Sequence, residues 1–218
     1  MNLIVVGINH RTAQLDIRER YAVATDDLGA RYQDLMAEAA VMEAVILSTC
    51  NRVEIYALTD PDGTQEATTA VRRALGPGHP GVYSHVATDA IRHLFRVSAS
   101  LDSMILGEPQ ILGQVKEAFA FGQEAGAVGP GLQACFSRAF NTAKRVRTRT
   151  GIARSAVSVG YVAVELAKTI FDSVDDISVL LVGAGKMGVL AAKNLSDSGA
   201  RHVMVTNRTF ERSQEVAE

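Results

Sequence analysis

Several things are scarce in this 218-residue chain, and each scarcity excludes a class of protein. No run comes near the roughly 18 to 20 consecutive apolar residues of a membrane-spanning helix, and the opening "MNLIVVGINHRTAQ" passes from a short strand into polar residues without a signal-peptide cleavage pattern. A cytoplasmic location is the expectation. Cysteine occurs only as Cys50 and Cys135, which form neither a disulfide framework nor a metal-ligand spacing. No metal site is expected, and both thiols are read as free. Internal repeats and low-complexity segments are absent as well. Between Ala125 and Val164 there is no Asp or Glu at all. That window carries Arg138, Lys144, Arg145, Arg147, Arg149 and Arg154, a charge of +6 that leaves −8 for the rest of a chain whose net charge is −2. Such a face suits a polyanion, although a solvated cationic helix has the same composition.

What is present changes character along the chain. "NLIVVGI" reads as a strand, about Asp26 to Ala40 as a helix, "EAVILST" and "VEIYAL" as strands, and "TQEATTAVRRAL" as a helix. After the breaker "GPGHPG" the pattern turns helical. One helix starts near Asp89 with Thr88 as its cap, one near Pro109, one runs from about Leu132 to Thr148, and one from about Ser155 to Phe171. From Ile177 the order is strand, glycine turn, helix, strand and the opening of another helix, which is a βαβ beginning. The expected class is α/β: an α+β catalytic domain with a small sheet and a helical bundle over residues 1–154, then a linker helix and the first part of a Rossmann-type domain over 155–218. Such domains usually have about six parallel strands, so a shortened chain is expected.

"GAGKMG", Gly183-Ala184-Gly185-Lys186-Met187-Gly188, follows the apolar strand "VLLV" and precedes the helix "VLAAKNL". Its glycines suit a tight turn, close approach of backbone to a pyrophosphate, and close helix–strand packing. An NAD binder places an acid about 20 residues on, at the end of the second strand. Here that strand ends in Asn207 and Arg208, with Arg212 following. A guanidinium there favours a 2′-phosphate, hence NADPH, while an ordinary surface arginine predicts no preference.

Cys135 sits on a helix flank among "LQACFSRAF" and is assigned to packing. Cys50 is placed differently, in a strand-ending turn between Thr49 and Asn51 and two residues before Arg52. A thiol near a cation, in a chain with a reducing cofactor, suggests attack on an acyl carbonyl and reduction of the thioester to an aldehyde. The planar fork of Arg52 suits a substrate carboxylate. On a helical wheel His93 falls away from a stripe of Ile91, Leu94, Phe95 and Ser98, toward solvent or a site. Gln110 and Gln114 share one helix face, and Glu108 and Pro109 also read as a helix-starting cap. At about 100° per residue Arg138, Arg145 and Arg149 share one edge, opposite Phe136, Phe140 and Ala143.

"GINHRTA" (7 to 13), "STCNRVEIY" (48 to 56), "LDSMILGEPQILGQVKEA" (101 to 118), "AKRVRT" (143 to 148), "SAVSVGYVAVELA" (155 to 167) and "LLVGAGKMG" (180 to 188) together resemble glutamyl-tRNA reductase across essentially the whole chain. That resemblance implies NADPH-dependent reduction of glutamyl-tRNA(Glu) to glutamate-1-semialdehyde, feeding tetrapyrrole (porphyrin) synthesis by the C5 route. It implies Cys50 as the nucleophile and His93 as a catalytic proton donor. Thr49, Asn51, Arg52, Ser103, Glu108, Pro109, Gln110 and Gln114 are implied substrate contacts, and residues 183 to 188 the NADPH loop. It turns the Arg138, Arg145 and Arg149 edge into a tRNA contact. Partners implied are the charged tRNA, a downstream aminomutase that receives the aldehyde, and a second copy in the full-length homodimer, whereas a chain of this length is expected to be monomeric. It is also expected to keep acyl transfer and to reduce poorly. Gln14 departs from the family, which usually has proline after "NHRTA", and the role of His10 stays open. Two other readings remain: a noncatalytic tRNA- or nucleotide-binding module with a structural Cys50, and a thiol-dependent oxidoreductase acting on a small acyl donor.

Overall fold

The computed structural model describes residues 1–153, 159–171 and 177–217, with backbone alone at 153, 159–163, 186, 187, 216 and 217. Of the sequence expectations, the start of the helix from Ser155, the cation Arg154 and much of the "SAVSVGYVAVELA" motif lie outside the described residues or their side chains. The chain divides into two compact units, Met1–Arg154 and Ser155–Glu218.

In the first unit, β1 (Asn2–Asn9), β2 (Glu43–Ser48), β3 (Arg52–Thr59) and β4 (Tyr83–Val86) form one antiparallel sheet in the order β2-β3-β1-β4. Side chains alternate between its faces, as a period of two requires. Ile4, Val6, Ile8, Ile46, Ile55 and Ala57 pack with Tyr32 and Leu35 of α2 (Leu28–Met36) and Val71 of α3 (Thr64–Leu75). Leu3, Val5, Val45, Leu47, Tyr56 and Leu58 pack with α4 (Thr88–Ser98), α5 (Gln110–Glu124) and α6 (Pro130–Arg149). Both faces are therefore covered. Leu94, Leu132 and Phe136 are fully enclosed on the second face, and burial of each such side chain contributes about 1.5–3 kcal/mol. Phe136 meets Tyr56 edge-on at 5.5 Å and stacks on Phe119 at 5.1 Å.

Helix starts show how the sequence enforces these boundaries. Pro130 occupies the first turn of α6, and the buried Glu43 carboxylate at the head of β2 accepts the N–H groups of Gly131 (3.0 Å) and Leu132 (2.6 Å). The carboxylate both caps the helix and opposes its dipole. Some expectations need correction. Thr88 is the first residue of α4 rather than its cap, since Ala87, with φ 51°, holds that position. The helix expected over 26–40 is a short 3-10 turn, Thr25–Asp27, followed by α2. Strand β4 and a short α1 (Leu15–Glu19) were not expected.

The second unit contains α7 (Val159–Phe171), β5 (Ser178–Val182), α8 (Lys186–Asp197), β6 (His202–Thr206) and α9 (Phe210–Ala217). β5 and β6 pair in parallel, with α8 as their crossover, so the unit is the start of a Rossmann-type domain. Among the described residues no helix is long and apolar enough to cross a membrane.

Candidate functional site

The site grows from one end of the sheet face that meets α4–α6. Because β3 alternates, Arg52, Glu54 and Tyr56 all point that way. Gly7 of β1 lies between Glu54 of β3 and Tyr83 of β4 in register. A Cβ on residue 7 would fall 2.6 Å from the Glu54 Cγ, so only glycine leaves room for that carboxylate. Glu54 is wholly buried; three donors bond to it and the His93 ring contacts it. Arg52 Nη1 and His93 Nε2 lie 2.8 Å from Oε1, the Tyr83 hydroxyl also donates to Oε1, and the Tyr56 hydroxyl donates to Oε2 at 2.5 Å. Burial alone would push the Glu54 carboxyl up, but the Arg52 charge and the His93 contact outweigh it and hold it well below the usual carboxylate range. Burial and the Glu54 charge push both Tyr56 and Tyr83 upward, which keeps them neutral donors.

Of the two outcomes the helical wheel left open for His93, solvent or a site, the ring takes the inward one. It is 9% exposed, with Ala90, Leu94 and Val97 on the buried face of α4, whereas Ile91 is 41% exposed. The ring lies 5.6 Å from Tyr83 and 4.7 Å from His85, centroid to centroid. A polar ring turns inward here because a buried carboxylate awaits it, a partner that periodicity cannot reveal.

Cys50 lies exposed in the β2–β3 turn. Thr49 Oγ1 accepts the N–H groups of Asn51 (3.2 Å) and Arg52 (3.1 Å), so Thr49 shapes the turn itself. Arg18 of α1, buried despite its charge, donates from Nη1 to the Cys50 carbonyl at 2.5 Å and to Asn51 Oδ1 at 3.3 Å. His10 donates its backbone N–H to the Asn51 carbonyl at 2.9 Å. Its Nδ1 is buried without a hydrogen-bond partner among the described residues, and burial followed by the Arg52 and Arg11 charges lowers the imidazole below its ordinary value. Beside the turn a cleft of about 180 Å³ is lined by Thr25, Ser48, Gln114 and Glu117 among others.

The second segment closes on the first through Asp102. Arg52, 1% exposed, donates from Nη2 to the Asp102 carbonyl at 2.6 Å and to its Oδ2 at 3.2 Å, while Arg11 holds Oδ1 at 3.2 Å. The guanidinium expected to be open to a ligand is thus enclosed and paired on two sides. Glu108 caps α5, accepting from Gln110 N–H (3.0 Å) and Ile111 N–H (3.1 Å), and Ser103 Oγ lies 3.3 Å from the same carboxylate. Pro109 precedes the helix, exposed, and Gln110 is half-buried. Arg147 of α6 donates to the carbonyls of Gly107 and Glu108, tying that helix to the segment. Arg138, Arg145 and Arg149 are exposed, on the side of α6 away from the buried Phe136 and Ala143.

In the second unit, Gly183 has φ 102° and donates its N–H to the Thr206 carbonyl at 2.8 Å. A Cβ on Gly188 would stand 2.6 Å from the Gly183 carbonyl oxygen, whereas none of the described residues lies within 4 Å of one on Gly183 or Gly185. The turn is therefore tight on the helix side and open on the other, which fits an approaching pyrophosphate. Asn207 Oδ1 accepts the Ala184 N–H at 3.4 Å, and Arg208 is exposed. The backbone at Lys186 and Met187 begins α8. Glu54, Tyr56, Tyr83, Asp102, Arg18 and Arg11 are site residues that motif reading passes over. Gly7 was the signal for Glu54, visible only once the two strands are known to pair.

Residues 6–150 match the family model described as "Glutamyl-tRNAGlu reductase, N-terminal domain", and residues 165–218 match "Shikimate / quinate 5-dehydrogenase". Glutamyl-tRNA reductases of Geobacter sulfurreducens and Solibacter usitatus are each 50% identical to the chain over 227 and 223 residues, covering all of it and 52% and 53% of their own lengths. The solved glutamyl-tRNA reductase from Methanopyrus kandleri superposes with a TM-score of 0.67 at 39% identity, over 99% of this chain and 51% of that one. The chain spans about half the length of the curated relatives it matches.

Proposed function

Because the chain belongs to the glutamyl-tRNA reductase family, whose N-terminal domain its residues 6–150 carry, we propose that it takes the glutamyl group of glutamyl-tRNA(Glu) onto Cys50 for NADPH-dependent reduction to glutamate-1-semialdehyde, in the cytoplasmic C5 route to tetrapyrroles. The observation that carries this reading is an exposed thiol in the turn two residues before Arg52, whose buried guanidinium shares one hydrogen-bonded network with the Glu54 carboxylate and the His93 imidazole.

In the acyl-transfer step the sulfur attacks the ester carbonyl, the S–C bond forms, and the C–O bond to the terminal ribose breaks. His93 takes up the thiol proton and supplies it to the departing oxygen, so protons balance. Arg52 meets the substrate carboxylate by exchange: the carboxylate takes the Nη2 hydrogen bond now made to Asp102 Oδ2, while the Asp102 main-chain carbonyl stays on the same nitrogen and its side chain keeps Arg11. Asn51, Ser103, Glu108, Pro109, Gln110 and Gln114 contribute the surrounding walls, with Thr49 holding the turn. Residues Gly183 to Gly188, with Asn207 and Arg208, would hold NADPH, which supplies hydride to the thioester carbon when bound. Arg138, Arg145 and Arg149 follow tRNA phosphates, giving position rather than base readout.

Intact-protein mass spectrometry after mixing with charged tRNA tests the reading. One glutamyl adduct mapping to Cys50 and lost in Cys50→Ser is expected. An adduct that survives Cys50→Ser overturns the nucleophile, and tRNA binding with no adduct in the wild type leaves a binding module instead.

A further inference from the structure

We infer that Glu54 is a positioning residue: its carboxylate fixes His93 in the Nε2–H tautomer, so that Nδ1 is the nitrogen that takes up and releases protons. The geometry dictates this directly. His93 Nε2 lies 2.8 Å from Glu54 Oε1, and the same oxygen also receives Arg52 Nη1 and the Tyr83 hydroxyl. An ionised carboxylate can only accept, and a guanidinium can only donate. A carboxylate with Arg52 at 2.8 Å and two phenols donating to it is an acceptor to every neighbour, so the nitrogen facing it must carry hydrogen. Nδ1 makes no hydrogen bond to the described residues, so no neighbour among them fixes a proton there as Glu54 does on Nε2. The ring is flanked as well, by His85 tilted at 31° with centroids 4.7 Å apart and by Tyr83 edge-on.

The carboxylate contacts the imidazole on its Nε2 side, and Nδ1 is the ring nitrogen turned away from it. When Nδ1 takes the Cys50 thiol proton, the ring becomes a cation beside a buried anion. When the C–O bond breaks, that proton passes to the ribose oxygen and the neutral Nε2–H form returns. The catalytic part of this inference rests on the proposed acyl transfer; the tautomer does not.

The test is a long-range ¹H–¹⁵N spectrum of the labelled chain, with the His93 ring assigned by its loss in His93→Gln. A bare Nδ1 and a protonated Nε2 are expected. Glu54→Asp withdraws the carboxylate by roughly 1.5 Å while keeping a charge for Arg52. In that variant both ring nitrogens should move toward averaged shifts, and single-turnover acylation should slow at least about tenfold with KM unchanged, against about 10⁴-fold when a triad carboxylate is replaced by its amide. An Nδ1–H or averaged ring in the wild type overturns the inference, as does a Glu54→Asp protein whose ring stays fixed or whose acylation rate is unaltered. If Glu54→Asp shows an unfolded spectrum, the wild-type tautomer decides alone. Absence of acylation in the wild type counts against the proposed function and leaves the tautomer result standing.

Discussion

Gly7 and Glu54 face one another across the β1–β3 pairing, with room for the carboxylate only because residue 7 has no side chain. Gly7→Ala is therefore expected to destabilise the first unit by about 1–3 kcal/mol, the usual cost of overpacking. It should also disturb the His93 ring shifts. Chemical denaturation checks the first effect, and a stability equal to wild type would show that the strands part without cost.

The acid limb of stability should report Glu54. Its carboxyl is held below the ordinary value of about 4.3, burial opposing and the Arg52 charge prevailing. A depressed folded value contributes stability that is complete above the unfolded pKa and fades as pH falls toward the folded one. Urea denaturation from pH 7 to pH 3 should show wild-type stability declining below about pH 4.5, and Glu54→Gln declining less steeply. Parallel slopes for the two proteins would contradict the ionised assignment.

Asp102 occupies the guanidinium position proposed for the substrate carboxylate, so it competes with substrate. Asp102→Asn keeps an acceptor but removes the charge. KM for glutamyl-tRNA is expected to fall about fivefold, roughly 1 kcal/mol, with kcat little changed. A rise in KM would instead make Asp102 part of the binding surface.

The exposed edge of α6 predicts a salt dependence. Replacing Arg138, Arg145 or Arg149 by Gln should weaken tRNA binding and reduce the slope of log K against log salt by about 1 for each phosphate left without its cation. Slopes that match wild type would remove the helix from the interface.

Much of the fold was legible because it depends on local patterns. The runs "NLIVVGI", "EAVILST" and "VEIYAL" became β1, β2 and β3, and the glycine turn between an apolar strand and a helix became the βαβ start. Strand β4 escaped notice because its "YSHV" has no apolar alternation; it holds its place by pairing with β1 and by the reach of Tyr83 to Glu54. Cys50 is exposed in its turn, whereas the helical wheel left His93 between solvent and a site and put Ile91, which is exposed, on the apolar stripe.

The sequence by itself determined which residues share a face, since Arg52, Glu54 and Tyr56 are two apart in a strand whatever surrounds them. Tertiary structure alone decided what those residues do. A buried charge is costly unless it is paired; beyond each other and Tyr56, Glu54 finds its partners on β4 and α4, and Arg52 finds its own in a loop 50 residues further on. Which of them meet, and therefore which nitrogen of His93 faces the carboxylate, depends on the register of three strands and the docking of one helix, and no local pattern encodes that.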